Sequence, residues 1–256
     1  MLTIDLSGSV ALVTGGSRGI GAGIVEAFAR AGATVVLTHT GNPRYADRLG
    51  AMLGELRDKG CHVEAAVADA CSPDAADRLV RQIVDSHGRL DVMVANVGQN
   101  LARPAEETTA ESWRHFIDVN LSSAFHAVRA ALPAMLGAGR GRILFIGSSV
   151  VFDGGGGAID YAAAKAGMVG MMRYLTRNYA RRGINSNVIH PAVIETDLLD
   201  ERYGNPQDKQ KLVDRVPVGR LGQPADIGNL AAYLASSHGD FICGQEILVD
   251  GGRTFY

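Results

Sequence analysis

The chain predicts an α/β fold, a doubly wound parallel sheet of about seven strands with helices on both faces. Three observations carry that prediction. Short apolar, β-branched runs alternate with longer helical patterns from end to end. The first run leads straight into a glycine-rich turn that opens a helix. No repeat, low-complexity linker or shift of composition divides the 256 residues. Regular alternation implies right-handed crossovers, and so a parallel sheet covered on both sides. A chain of this length buries a large core and is expected to form a single domain, 1–256.

The strands are expected near Val10–Thr14, Thr34–Thr38, His62–Ala68, Leu90–Ala95, Arg142–Gly147, Ile184–Ile189 and Glu246–Val249. Helical patterns fill most gaps, near 19–31, 43–59, 73–87, 109–136, 158–182 and 224–236. In the first of these Ile20, Ile24, Ala27, Phe28 and Ala31 recur at helical spacing. Thr108 and Glu111 read as a capping box at the start of the fourth long helix. Pro133 is expected to end or kink that helix near its C-terminal end. Gly154–Gly157 is too short and too embedded to link domains.

Composition excludes several function classes. A net charge of −2 and a pI near 6.4 leave no electrostatic footprint for nucleic acid or an anionic membrane. No apolar run reaches transmembrane length, and the N-terminus lacks a signal peptide's basic start and long apolar core. Cys61, Cys71 and Cys243 are odd in number and not spaced as metal ligands, which fits reduced thiols in a cytoplasmic protein. The seven histidines are scattered and read as surface or packing residues. No metal is expected.

Tyr161 and Lys165 lie four apart, on one helical face. An unperturbed phenol titrates near ~10, too high for efficient proton exchange at neutral pH. A cation held beside it stabilises the phenolate and lowers that value. Tyr161 thereby becomes a candidate general acid/base. Alone the pair is weak, because Tyr and Lys recur at this spacing on many exposed helices. It gains weight from Ser148 upstream and from the turn Thr14-Gly15-Gly16-Ser17-Arg18-Gly19-Ile20-Gly21. Here a strand ends in glycines and a helix follows, the context a dinucleotide fingerprint needs. Glycines allow close backbone approach to a pyrophosphate seated on the helix N-terminus.

Thr14-Gly-x-x-x-Gly-x-Gly21, Asn96-x-Gly98, Asn120, Ser148 and Tyr161-x-x-x-Lys165 together resemble the short-chain dehydrogenase/reductase family. The match runs in order from about Leu6 to Gly252. It is most similar to the single-domain subfamily that holds 3-oxoacyl-carrier-protein reductases and many sugar, polyol and steroid dehydrogenases. The resemblance implies a Rossmann-type sheet and a cytoplasmic NAD(P)-dependent oxidoreductase acting on carbonyl or secondary alcohol groups. It implies that Ser148 holds the substrate oxygen, Tyr161 passes the proton, and Lys165 serves both the tyrosine and the nicotinamide ribose. Asn120 resembles the family member that holds a water and links Lys165 to solvent. Gly15, Ser17, Arg18, Gly19, Ile20 and Gly21 would cradle the phosphates. Asp69 resembles the adenine-contacting aspartate, and Asn96 and Gly98 should lie beside the adenosine ribose. Pro191, Ile194 and Thr196 match positions around the nicotinamide carboxamide.

NAD-preferring sites usually place an acidic residue past the second strand, on the ribose 2′-hydroxyl. Here that stretch reads Thr38-His39-Thr40-Gly41-Asn42, with no carboxylate. Arg18 offers a fork of donors to a 2′-phosphate instead, with Thr38, Thr40 and Arg44 as helpers. NADP is favoured over NAD. Two departures from the family pattern bear on cofactor geometry. The usual Asn-Asn-Ala-Gly appears as Ala95-Asn96-Val97-Gly98, and Pro-Gly appears as Pro191-Ala192, where alanine is costly if positive φ is required. Ser149 reads as a loop hydroxyl that bonds its own backbone.

The segment 195–216 is expected to form a substrate lid. Val97, Gln99, Val151, Phe152, Leu199 and Tyr203, with Leu198 in the lid, are candidate pocket residues. A 3-oxoacyl thioester reductase and a sugar or polyol dehydrogenase both fit, and a non-catalytic dinucleotide sensor is the alternative from another class. Phe125, Val128, Leu132, Met168, Met171, Met172 and Leu175 give two helices broad apolar faces. Part of that area is expected to join subunits in a homodimer or homotetramer.

Overall fold

The inner apolar runs become strands buried on both faces, as parallel sheets require, while the edge runs near 63–67 and 246–249 are only partly covered. In the computed structural model, which describes residues 3–196, 199 and 205–255, they are β1 (Val10–Val13), β2 (Thr34–His39), β3 (Val63–Val67), β4 (Val92–Ala95), β5 (Gly141–Ile146), β6 (Ile184–Pro191) and β7 (Glu246–Val249). All pair in parallel, in the spatial order β3-β2-β1-β4-β5-β6-β7. Val10 pairs with Thr34 on one side of β1, and Ala11 with Val92 on the other. The winding therefore reverses between β1 and β4. A crevice opens at the carboxyl ends of the strands at such a reversal.

Side chains that alternate along each strand feed two separate cores. Ala11 and Val13 pack with Ile24 and Phe28 of α1 (Gly19–Arg30), Leu49 and Leu56 of α2 (Ala46–Asp58), and Ile227 of α9 (Pro224–Ala235). Leu12 and Met93 face the other way. They meet Leu79 and Ile83 of α3 (Pro73–His87), Ala131 and Met135 of α5 (Ser123–Ala138), and Met168 and Met172 of α7 (Ile159–Tyr179). Two short helices, α6 (Val150–Asp153) and α8 (Pro206–Val213), escape the sequence pattern because α6 is a single turn and α8 buries no residue, so neither writes a core-facing stripe.

The fourth long helix differs from its expectation in its continuity and in its cap. It is α4 (Ala110–Ile117) and α5 joined by a π-helical stretch, Asp118–Ser122. Its cap is Thr109, not Thr108. The Ser112 N–H donates to Thr109 Oγ1 at 3.1 Å, and the Thr109 N–H to Ser112 Oγ at 3.0 Å. Thr108 Oγ1 instead accepts from Arg103 at 3.3 Å. Pro133 neither ends the helix nor starts its last turn, since α5 runs on to Ala138. Pro133 lies on the exposed face, where water can satisfy the carbonyl its missing N–H leaves free. Fully buried Met135 anchors the turn beyond it.

Among the described residues no helix is long and apolar enough to cross a membrane, and no group of three His, Cys, Asp or Glu is placed to hold a metal. Within the expected lid, 197, 198 and 200–204 lie outside the described residues, Leu198 and Tyr203 among them.

Candidate active site

The glycine turn is built by backbone constraint. Gly15 at φ +64° and Gly19 at φ +55° carry the chain from β1 into α1, a conformation other residues adopt at a cost. A Cβ on Gly21 would lie 2.2 Å from the Gly15 carbonyl oxygen, so only glycine lets the helix sit on the loop. Arg18 occupies the N-cap without a side-chain cap bond, leaving the first N–H groups of α1 open to an anion. Asn96 fastens this turn to the end of β4. Its Nδ2 donates to the carbonyls of Thr14 and Gly15, each at 3.0 Å, and its N–H to Thr14 Oγ1 at 3.0 Å. One amide thus ties the two strand ends at the reversal point despite the Ala95 departure.

A cleft opens there. It brings together Gly15, Ser17, Arg18, Gly19, Ile20, Gly21, Asn96, Gly98, Tyr161, Lys165 and Thr196, together with Val97 and Gln99. Four expected cofactor residues, Thr38, Asp69, Pro191 and Ile194, are not among those lining it. Thr38 is buried beneath the turn, its hydroxyl accepting from the Gly15 N–H at 3.0 Å, because side chains alternate along β2. His39 and Thr40 line the cleft instead. Asp69 stands with Thr38 and Thr14 around a separate small cavity, and its carboxylate accepts from the Cys71 N–H at 2.9 Å. Pro191 ends β6 with its carbonyl accepting from the Ser149 N–H at 2.9 Å. Ile194 is buried and bridges to Gly222. Ala192 carries no strain, since no described residue other than glycine has positive φ.

At the far end of the cleft the Arg18 guanidinium lies 4.6 Å from the Tyr45 ring centroid, and that of Arg44 lies 5.4 Å from it. Sequence reasoning passed over Tyr45. The available signal was the Asn42-Pro43 turn, which folds this residue back toward the glycine loop.

The expected catalytic residues stand at the opposite end. Burial pushes the Tyr161 phenol above its ordinary range, and the Ser148 side chain beside it partly offsets that. Desolvation is the largest cause of that direction, ahead of any neighbouring charge. Lys165 is itself buried, donates to the Ile146 carbonyl at 2.8 Å, and has its pKa pushed down to about 8 by desolvation. Its Nζ lies 5.7 Å from the Tyr161 ring centroid. Asn120 is fully buried in the π-helical stretch, where such bulges often mark functional positions. Its Nδ2 donates to the Gln99 and Phe116 carbonyls at 2.9 Å, and its Oδ1 accepts from the Gln99 N–H at 3.0 Å. A Cβ on Gly98 would fall 2.9 Å from Asn120 Oδ1 and 3.2 Å from Lys165 Nζ, so the chain passes between them only as glycine.

Behind Ser148 lies a residue that no local pattern singles out. His190 is fully buried, its Nδ1 2.9 Å from the Ser148 carbonyl oxygen, and burial lowers its pKa. It stacks edge-on with Phe152 at 5.0 Å, which makes that expected pocket residue partly an anchor. The local serine bond is also displaced by one residue: Ser148 Oγ, not Ser149, accepts from the Val150 N–H, at 3.3 Å.

Known proteins resemble this chain in sequence and fold. A family model described as enoyl-(acyl carrier protein) reductase matches residues 15–254. The 3-oxoacyl-[acyl-carrier-protein] reductase of Escherichia coli (strain K12) is 37% identical over 252 residues, covering 97% of this chain and 98% of that one. The (2S)-[(R)-hydroxy(phenyl)methyl]succinyl-CoA dehydrogenase subunit of Thauera aromatica is 36% identical over 253 residues, 99% of both chains. A crystal structure from Beutenbergia cavernae, described as an NAD(P) dependent gluconate 5-dehydrogenase with bound NADP, aligns with a TM-score of 0.90 at 34% identity, covering 98% of this chain and 99% of that one. With the fold, the glycine turn and the Ser148–Tyr161–Lys165 group in place, the chain belongs to the short-chain dehydrogenase/reductase family of NAD(P)-dependent oxidoreductases.

Proposed function

We propose that this protein reduces a ketone to a secondary alcohol, with a 3-oxoacyl thioester as substrate. The enzyme is NADP-dependent. The residues present fit that dinucleotide. The glycine turn is a cradle that a Cβ at Gly21 would fill, open helix N–H groups face it, and Arg18 and Arg44 stand where no carboxylate opposes a 2′-phosphate. Gly15, Ser17, Gly19 and Ile20 would hold the pyrophosphate, and Lys165 and Thr196 the nicotinamide end. When bound, the nicotinamide supplies the hydride.

The observation that carries the reading is the placement of Tyr161 and Lys165 together on the cleft wall, with Ser148 beside the phenol. Ser148 holds and polarises the carbonyl oxygen. Tyr161, kept protonated by burial, gives that oxygen its proton, which suits reduction. Lys165 and Asn120 meet at Gly98, where the ammonium fixes the ribose and the amide fixes the segment above it. The thioester reading rests on likeness to two enzymes of acyl thioesters. A sugar or polyol dehydrogenase is the second reading, favoured by the gluconate 5-dehydrogenase likeness. A non-catalytic sensor would not need the acid/base group.

The free thiols of Cys61, Cys71 and Cys243 support a cytoplasmic location. Assembly as a homodimer or homotetramer is part of the same reading. Val128, Met168, Met172 and Leu175 are spent on the core, whereas Trp113, Phe125 and Tyr174 remain exposed on α4, α5 and α7. Incubation with NADPH and a panel of simple ketones, acetoacetyl thioesters and ketosugars, followed by absorbance, tests the substrate class. Fastest NADPH loss with the thioester is expected. Fastest loss with a ketosugar would replace it by the second reading.

A further inference from the structure

Beneath Tyr161 lies a buried ion pair that the reaction does not use. Asp160, the preceding residue, is fully buried, and its carboxylate pairs with Arg103, whose side chain is 11% exposed. The other carboxylate oxygen accepts from the Tyr161 N–H at 2.7 Å, so Asp160 caps the first turn of α7, which has no side-chain bond at its N-cap, Ala158. Arg103 gathers the surrounding elements. It donates to Thr108 Oγ1 at 3.3 Å, to Ser112 Oγ within the α4 capping box at 3.2 Å, and to the Leu101 carbonyl at 3.4 Å. Its guanidinium lies 4.8 Å from the Phe116 ring centroid. Phe116 in turn offers its carbonyl to Asn120. One guanidinium thus joins the helix that carries Tyr161 to the helix that leads into Asn120.

We propose that Arg103 and Asp160 are positioning residues for Tyr161. The pair fixes the first turn of α7 against the 101–112 segment, and Arg103 neutralises a carboxylate one residue from the phenol. Buried pairs of this kind often add little net stability, since desolvation offsets their attraction. Holding an acid/base group in register gives it a functional reason. The charge matters because an unpaired carboxylate beside Tyr161 disfavours its phenolate, and an unpaired guanidinium favours it. The other groups facing that phenol, the Ser148 hydroxyl and the Lys165 ammonium, stay constant in the comparison below.

This inference rests on Tyr161 being the acid/base, and the test separates the two. Arg103→Met, Asp160→Asn and the double variant are each paired with their Tyr161→Phe counterpart. The tyrosinate absorbance difference within each pair, titrated with NADPH bound, reads the Tyr161 phenol without any substrate. Arg103→Met should titrate above wild type, Asp160→Asn below it, and the double variant close to it. The double variant should also lose turnover of the panel ketone reduced fastest, by about 10²-fold if the misplacement approaches 1 Å, with NADPH affinity kept. Shifts of the same sign, or none, would overturn the electrostatic role. Wild-type turnover in the double variant would overturn the positioning role. If one single variant fails to fold, the other and the double, which buries no unpaired charge, still decide. Full activity of Tyr161→Phe alone would refute the catalytic reading and leave the titration result standing.

Discussion

Lys165 is tied to Ile146: the buried Nζ donates to the carbonyl at the end of β5 at 2.8 Å, which aims the ammonium into the cleft below Tyr161. A strand end in the middle of a sheet is among the most rigid features of this fold. The cation is therefore placed before any ligand arrives, which reduces the ordering cost of binding. Its burial has a measurable consequence.

The folded-state pKa of Lys165, about 8, lies below the 10.5 of an unperturbed lysine. Below the lower value both states are protonated and the burial penalty is complete. Between the two values the unfolded chain binds more protons, so this group's contribution to stability rises with pH. The melting temperature of wild type relative to Lys165→Met should therefore climb from about pH 8 to 10.5. A difference that stays flat would mean that burial does not set this titration.

Cofactor choice is predicted from two positions. Arg18→Ala should weaken NADPH by about 10- to 100-fold, the worth of a hydrogen bond to a charged group, and leave NADH nearly unchanged. His39→Asp should place a carboxylate against the 2′-phosphate and turn preference toward NADH. Direct binding of both cofactors checks each substitution. Equal losses for NADPH and NADH would show that Arg18 does not read the phosphate.

The choice of His39 shows where the sequence was legible and where it was not. Continuous apolar runs bounded by turn residues mark strands clearly, and β7 falls where expected at Glu246–Val249. Which face a strand residue takes is a matter of parity, and a slip of one residue reverses it. Thr38 is the residue sequence reasoning assigned to the cofactor, and it is buried under the turn, while His39 faces the cleft. The same one-residue ambiguity moved the cap from Thr108 to Thr109, since two adjacent threonines both start a plausible box. The proposed catalytic group was legible as a candidate because its residue types are rare in combination. Tyr45, His190 and the Arg103–Asp160 pair act through tertiary contacts, and no local pattern announces those. The π-helical stretch around Asn120 and the continuation past Pro133 are likewise set by packing.

The glycine turn makes a paired prediction. Gly21→Ala drives a methyl into the Gly15 carbonyl, 2.2 Å away, and should abolish tight NADPH binding. Gly50→Ala, in α2 with nothing within 4 Å of the new Cβ, should bind NADPH as wild type does. It should also gain up to about 1 kcal/mol from lower chain entropy. Fluorescence titration and thermal melting check both. Unchanged binding in Gly21→Ala would remove the turn from the cofactor site.

The central claim is that Tyr161 transfers the proton, and Tyr161→Phe tests it most directly because only the ionisable hydroxyl is lost. Turnover of the best panel ketone, NADPH affinity and the melting transition are measured on the same preparation. Turnover should fall by about 10²–10⁴-fold, the usual worth of a positioned acid, with affinity and melting near wild type. Turnover close to wild type in that variant would contradict the account.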